Sequence, residues 1–143
     1  MVSVIYLAGD HAGYTYKARL TVFLQERGYK TVDLGPFSEA SVDYPDFAHP
    51  LANSIANDSD SLGILVCGSG NGVAMTANKH PKVRAALCWQ PEIAALARQH
   101  NNANVLCLPA RFMDIEMALS TLQTFLSTAF EGGRHQTRVN KIG

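Results

Sequence analysis

Short, almost unbroken apolar stretches alternate along the chain with longer segments in which apolar residues recur every three or four positions. The first pattern predicts strands covered on both faces, and the second predicts amphipathic helices. We expect strands at residues 3–8, 30–34, 62–67, 83–88 and 104–108, and helices at 14–27, 72–79, 91–99 and 113–129. Asp43 and Pro45 predict another helix start, with a kink or a late start because Pro50 would fall inside that helix.

The alternation of strands and helices favours a parallel sheet, because parallel strands need long crossover connections. The sequence therefore predicts an α/β fold, a three-layer Rossmann-like domain of about five parallel strands in the order 2-1-3-4-5, with helices on both faces. We expect the 143 residues to form a single domain whose tail, residues 131–143, is polar and basic.

Composition and charge narrow the class of protein. Twelve basic and twelve acidic residues cancel, whereas a dedicated nucleic-acid binder is usually basic. No apolar run reaches the roughly 18 residues of a membrane span, and no signal segment is evident, so we expect a cytoplasmic protein with neither nucleic acid nor membrane as partner. The three cysteines form no CxxC pair and are expected to be reduced thiols: Cys67, Cys88 and Cys107.

Two loops rich in glycine and polar groups follow predicted strands, which is where ligands of open α/β sheets bind. They are GDHAG at 9–13 and CGSGNG at 67–72. Glycines in the second loop allow successive backbone N–H groups to face a phosphate or a developing oxyanion. The dinucleotide fingerprint and the P-loop pattern are both incomplete, and a purely structural tight turn is the alternative.

Cys67 is the strongest candidate for chemistry. The helix N-terminus that follows it is expected to lower the pKa of its thiol, which would make the thiolate available as a base or a nucleophile. In the other loop, Asp10 and His11 form a candidate acid–base or phosphate-contacting pair. A loop or capping role is the alternative for His11.

Two further polar clusters lie outside these loops. HNNAN at 100–104 precedes the last strand, so it is expected at the amino end of the sheet, opposite Cys67. GGRHQTR at 132–138 places Arg134 and Arg138 on one face of a short helix, where they could hold a phosphate, and a solvated basic tail is the alternative. If all clusters serve one site, the simplest arrangement is a twofold dimer.

Six separated segments occur in a specific order: GDHAG at 9–13, DYPD at 43–46, CGSGNG at 67–72, ANK at 77–79, HNNAN at 100–104 and GGRHQTRV at 132–139. Together they resemble the B-type ribose-5-phosphate isomerases, a family that also includes allose-6-phosphate and galactose-6-phosphate isomerases. The resemblance runs over residues 4–142. It implies interconversion of D-ribose 5-phosphate and D-ribulose 5-phosphate through a cis-enediolate, with neither metal nor cofactor.

The resemblance also implies roles for individual residues. Cys67 would move the proton between C2 and C1, and His100 would assist ring opening with Asp10 nearby. The oxygens of the enediolate would be held by the turn, that is by Ser69 together with Gly68, Gly70, Asn71 and Gly72. The phosphate and the sugar oxygens would be held by His11, Arg111, Arg134, Arg138 and Asn101. Because the polar clusters lie at opposite ends of the sheet, we expect a homodimer with shared sites, to which the tail contributes, and a tetramer is left open.

The chain departs from the family pattern in the turn and after the last strand. The turn resembles the version common where a glutamate is the base, but Val73 stands in place of that glutamate, so Cys67 is the expected base. Pro109 replaces a usual glycine and could displace Arg111. The alternative functions are an allose-6-phosphate or other aldose-6-phosphate isomerase and a non-catalytic sugar-phosphate-binding module.

Overall fold

The computed structural model describes all 143 residues. Five parallel strands form one sheet: β1 (Ile5–Gly9), β2 (Thr31–Asp33), β3 (Leu62–Cys67), β4 (Ala85–Leu87) and β5 (Val105–Pro109). Six α-helices connect and follow them: α1 (Tyr14–Glu26), α2 (Pro45–Ala56), α3 (Asn71–Ala77), α4 (Pro91–Asn101), α5 (Ile115–Ser127) and α6 (Arg134–Asn140). The predicted parallel α/β fold is confirmed.

The strand order is β2-β1-β3-β5-β4, so the predicted order 2-1-3-4-5 is wrong in its last two positions. All five residues of β5 are buried, whereas the three residues of β4 are partly exposed. A short, partly exposed strand suits the edge of a sheet, and a fully buried one suits its interior. As a result β5 pairs with β3, and Pro109 lies beside Cys67.

Helices cover both faces of the sheet, as predicted. Side chains of α1, α4 and α5 pack on one face with Ile64 and Val66 of β3. Side chains of α2 and α3 pack on the other face with Leu65 and Cys67. Because successive side chains of a strand point to opposite faces, Cys67 belongs to the layer under α2 and α3.

Helix α2 starts at Pro45 and continues through Pro50 to Ala56. A late start after Pro50 is therefore wrong. The fixed φ of Pro45 suits the first turn of a helix, where no backbone N–H is needed. None of the helices combines the length and the apolar character that crossing a bilayer requires.

Candidate active site

The loops that follow β1 and β3 lie side by side at the carboxyl end of the sheet, as expected. Gly9 pairs with Val66, and the backbone N–H of Asp10 donates to the carbonyl oxygen of Val66 at 3.1 Å. A Cβ at Gly9 or at Gly13 would overlap the backbone of Val66. The glycines of GDHAG therefore allow this loop to approach β3 closely.

Asp10 begins the short 3-10 turn at His11–Gly13. Its Oδ1 accepts hydrogen bonds from the backbone N–H of Ala12 at 2.9 Å and of Gly13 at 3.2 Å. These bonds fix the carboxylate at the end of β1. Asp10 is only partly buried, so it can also reach a ligand at this end of the sheet.

His11 is held by the loop between β2 and α2. The backbone N–H of Val42 donates to its Nδ1 at 3.3 Å. When the ring is neutral, Nδ1 is therefore the acceptor and Nε2 carries the proton. An Nε2–H group is a suitable donor for a phosphate oxygen.

The glycine turn after β3 contacts the Cys67 thiol directly. The backbone N–H of Gly70 donates to Sγ at 3.3 Å. Gly70 has a φ of 77°, and a Cβ at this position would overlap the side chain of Leu87. Only glycine fits this position without strain, and the turn that it allows brings the N–H of Gly70 to the thiol.

The pKa of Cys67 does not follow the prediction. Burial of the side chain raises the pKa of the thiol, and the nearby carboxylate of Asp10 raises it further. The N–H groups of Gly70, Val73 and Ser69 act in the opposite direction but do not outweigh burial. The expected lowering is wrong, because the loss of water around a buried thiolate exceeds the stabilisation by the turn.

The other two cysteines are fully buried, and all three thiols are free. Burial raises the pKa of Cys88 to about 12 and that of Cys107 well above its ordinary value. Both thiols belong to the apolar core. Free thiols agree with the prediction.

The outer part of the turn is open to solvent and is bordered by Tyr44. Ser69 is exposed, and its Oγ accepts the backbone N–H of Asn71 at 3.3 Å. A Cβ at Gly72 would overlap the ring of Tyr44. Tyr44 belongs to the segment DYPD, and its place beside the turn was not predicted from the sequence.

Arg111 lies beside the turn despite Pro109. The backbone N–H of Ala110 donates to the carbonyl oxygen of Cys67 at 2.9 Å, and that of Arg111 donates to Gly68 at 3.0 Å. A Cβ on Gly68 would be 3.1 Å from Nε of Arg111. The central position of β5 thus brings a guanidinium to the carboxyl end of β3, which the predicted strand order would not have done.

His100 and Asn101 end α4 at the opposite end of the sheet, as predicted. The following strand begins beside Gly63, whose N–H donates to the carbonyl oxygen of Asn104 at 2.9 Å. Gly63 and Cys67 are four residues apart on β3, which corresponds to roughly 13 Å at about 3.3 Å per residue. One chain therefore does not bring His100 to Cys67.

The C-terminal tail lies against the end of α4. The rings of His100 and His135 are stacked with centroids 4.3 Å apart and an interplanar angle of 11°. Arg134 and Arg138 are exposed on the short helix α6, which confirms the predicted helix. Glu131 and His135 received no role from the sequence, although GGRHQTRV contains His135.

A surface groove with a volume of about 440 Å³ lies apart from Cys67. Its lining includes Asn101 together with the basic side chains of Lys79 and Arg84. The cysteine, the glycine turn and Asp10 are not among its walls. Within one chain, the groove and the thiol are therefore separate features.

Comparison with known proteins places this geometry in a family. The sequence model described as Ribose/Galactose Isomerase matches residues 5–142. A probable ribose-5-phosphate isomerase B of Mycoplasma genitalium is 49% identical over 140 residues, which covers 96% of this chain and 92% of that protein. Ribose-5-phosphate isomerase B of Escherichia coli is 40% identical over 133 residues, which covers 93% of this chain and 89% of that protein.

Solved structures agree with the sequence comparison. The crystal structure of ribose-5-phosphate isomerase B from Mycoplasma genitalium with bound ribulose-5-phosphate is 48% identical, has a TM-score of 0.95, and is matched over 99% of this chain and 95% of that chain. The enzyme from Thermotoga maritima is 46% identical with a TM-score of 0.94, over 98% of this chain and 97% of that chain. The chain belongs to the ribose/galactose isomerase family.

Proposed function

We propose that this protein interconverts D-ribose 5-phosphate and D-ribulose 5-phosphate. The observation that carries the proposal is the position of Cys67. This residue lies between the Asp10 loop and Arg111, and its Sγ accepts the N–H of Gly70. A base, a set of backbone donors and a cation thus lie together at the carboxyl end of the sheet. Relatives that carry the name ribose-5-phosphate isomerase B match nearly the whole chain.

The proposed chemistry is proton transfer between adjacent carbons. The Cys67 thiolate removes the proton from C2 of the open-chain aldose, and the electron pair forms the C1–C2 double bond as the C1 carbonyl becomes an oxyanion. The turn at Gly68–Gly72, with Ser69, stabilises the resulting enediolate through N–H donors. A proton then passes from the C2 hydroxyl to the O1 oxyanion, and the first proton returns from Cys67 to C1, which leaves a hydroxyl at C1 and the carbonyl at C2. The reaction needs neither a metal nor a cofactor.

The raised pKa of Cys67 fits a base whose thiolate forms only when the substrate is bound. Burial keeps the thiol protonated in the free protein, and the Asp10 carboxylate opposes its ionisation. A substrate hydroxyl that donates a hydrogen bond to Asp10 weakens this opposition. The N–H of Gly70 is already in place to stabilise the thiolate.

A homodimer with shared sites completes the proposal. Cys67, Asp10, His11 and Arg111 come from one protomer, and its partner contributes the other half of the site: His100, Asn101, Arg134 and Arg138. The separation of the two halves by the length of β3 supports this arrangement. Exposed apolar side chains in loops at the carboxyl end of the sheet also support it, because such patches often mark interfaces. They are Phe37, Trp89 and Phe112.

Association beyond the dimer, the single domain and the cytoplasmic location remain predictions of the sequence.

The test is formation of ribulose 5-phosphate from ribose 5-phosphate, with a chelator and no added metal. We expect turnover by the wild type and a loss of at least about a hundredfold in kcat for Cys67→Ala. Cys88→Ala is the matched control, since it removes a thiol from the core without touching the turn. Its activity should stay within about twofold of the wild type.

Other results would change the assigned base, the substrate or the class of function. Turnover that survives in Cys67→Ala would assign the base to another group. A kcat/KM at least tenfold higher for allose 6-phosphate than for ribose 5-phosphate would make this chain a hexose-phosphate isomerase, since the two substrates share the chemistry and differ in length. Binding of sugar phosphates without any turnover would favour the non-catalytic binding module.

A further inference from the structure

One face of the His100 ring is covered by His135. The two rings lie 4.3 Å apart between centroids and are nearly parallel, at 11°. The His100 side chain is 42% exposed, whereas that of His135 is 9% exposed. His100 therefore presents its free face to solvent and its other face to a buried ring.

The local fold holds His135 in this position. The N–H of Glu131 donates to the carbonyl oxygen of Gln99 at 3.1 Å, which ties the tail to the last turn of α4. Gly132 and Gly133 then reverse the chain with positive φ values of 70° and 56°. His135 is the buried residue of α6, so the stacked ring is the contact through which α6 packs on α4.

Glu131 lies close to both imidazole rings. Its Oε1 is 3.5 Å from Nε2 of His135 and 4.0 Å from Nε2 of His100. Two imidazoles and a carboxylate can suit a metal ion, and their potential ligand atoms lie within 4.8 Å of one another. A metal bound by imidazole lies in the plane of the ring, and stacked parallel rings do not direct their lone pairs at one point. The arrangement therefore suits a proton better than a metal.

The charges around the pair favour a single proton. Burial lowers the pKa of His135, and His100, Arg134 and Arg138 lower it further, while Glu131 raises it. His135 is therefore the neutral member of the pair at neutral pH. A neutral His135 ring places no positive charge against the covered face of the His100 ring.

We propose that His135 and Glu131 are positioning residues for His100 in the ring-opening step. His135 fixes the plane of the His100 ring, and Glu131 stabilises the proton that His100 carries between the C1 hydroxyl and the ring oxygen. This inference rests on the proposed function. It adds two residues that act through His100 and do not touch the carbons between which Cys67 transfers a proton.

The two sugars allow ring opening to be separated from enolisation. Ribose 5-phosphate is mainly a furanose and must open before C2 can lose its proton. Ribulose 5-phosphate is open-chain, because its C5 oxygen carries the phosphate and cannot close on C2. Exchange of a C1 hydrogen of ribulose 5-phosphate with D2O therefore requires the Cys67 turn but no ring opening.

The experiment compares His135→Ala, His135→Phe and Glu131→Gln in both assays. For His135→Ala we expect kcat/KM on ribose 5-phosphate to fall about tenfold or more, with the C1 exchange rate within about twofold of the wild type. His135→Phe keeps a flat ring and should return ribose 5-phosphate turnover to within about threefold. Glu131→Gln should move the pH profile of this turnover to lower pH and leave that of the exchange in place.

The control variant is His49→Ala, which removes an exposed imidazole of α2 and should change neither assay. Equal losses in both assays for all three variants would overturn the inference, because they would mean a general structural role. Full activity of His135→Ala on ribose 5-phosphate would overturn it as well. If the wild type catalyses neither reaction, the proposed function itself is wrong and the inference falls with it.

Discussion

The three cysteines show how strongly the surroundings of one residue type decide its chemistry. Cys88 and Cys107 are packed in the core and have strongly raised pKa values, which suits small apolar groups. Cys67 is also buried, but its sulfur accepts an N–H from the turn. The sequence predicted the turn and the helix after it. It could not predict the extent of desolvation, which depends on packing from distant segments.

Asp10 should control the ionisation of Cys67. Asp10→Asn removes the carboxylate charge that raises the pKa of the thiol, while its Oδ1 can still accept the N–H groups of Ala12 and Gly13. We therefore expect the pKa of Cys67 to fall. The measurement is the rate of alkylation of Cys67 by iodoacetamide as a function of pH, followed by mass spectrometry.

Asp60→Asn is the matched control for this variant. Asp60 is an exposed aspartate before β3, at the end of the sheet opposite Cys67, and its charge should leave the alkylation profile unchanged. An unmoved profile in Asp10→Asn, or one that shifts to higher pH, would contradict the electrostatic role of Asp10.

At the scale of single elements, the hydrophobic pattern predicted every strand and the helices α1, α3, α4 and α5, with ends that differ by at most two residues. The reason is that burial on both faces of a sheet demands apolar runs, and packing of one helix face demands the three-to-four spacing. Helix α2 was the least predictable element, since Pro50 lies within it. The local pattern does not show whether packing will hold a helix together across a proline.

The start of α5 offers a direct test of local stabilisation. Asp114 has an extended backbone, and its Oδ1 accepts the N–H of Met117 at 2.8 Å. Asp114→Ala leaves this N–H without its partner and should lower the free energy of unfolding by about 1 kcal/mol. Urea denaturation measures the change, and kcat should remain that of the wild type.

Asp114→Asn is the comparison variant, because asparagine retains an acceptor oxygen and is as good an N-cap. It should lose no more than a few tenths of a kcal/mol. Equal destabilisation by the two variants would show that the charge, and not the hydrogen bond, stabilises the start of α5.

At the scale of the whole molecule, strand direction was enough to predict that HNNAN and Cys67 lie at opposite ends. The order of β4 and β5 was not predictable from strand alternation, because a crossover can place β5 on either side of β4. The signal that could have decided it is the length of the apolar run in β5, which suits a central strand. The contact of the tail with α4 was also missed, since it depends on how two distant segments meet.

The shared-site dimer makes a prediction that no single chain can fulfil. A Cys67→Ala chain and a His100→Asn chain should each be nearly inactive on ribose 5-phosphate. In a mixed dimer, one site lacks both residues and the other has both intact. Random mixing at equal amounts makes about half of the dimers mixed. Activity should therefore recover to about a quarter of the wild-type value, measured after subunit exchange.

Cys67→Ala mixed with Cys67→Ser provides the control, because every site then lacks the thiol and no activity should return. Exchange is verified with differently tagged chains by native mass spectrometry. If exchange is complete and activity stays at the level of the single variants, Cys67 and His100 do not act in one site across the dimer. Recovery near a quarter would instead assign the two residues to different protomers, because any site confined to one chain would carry a lesion in every dimer.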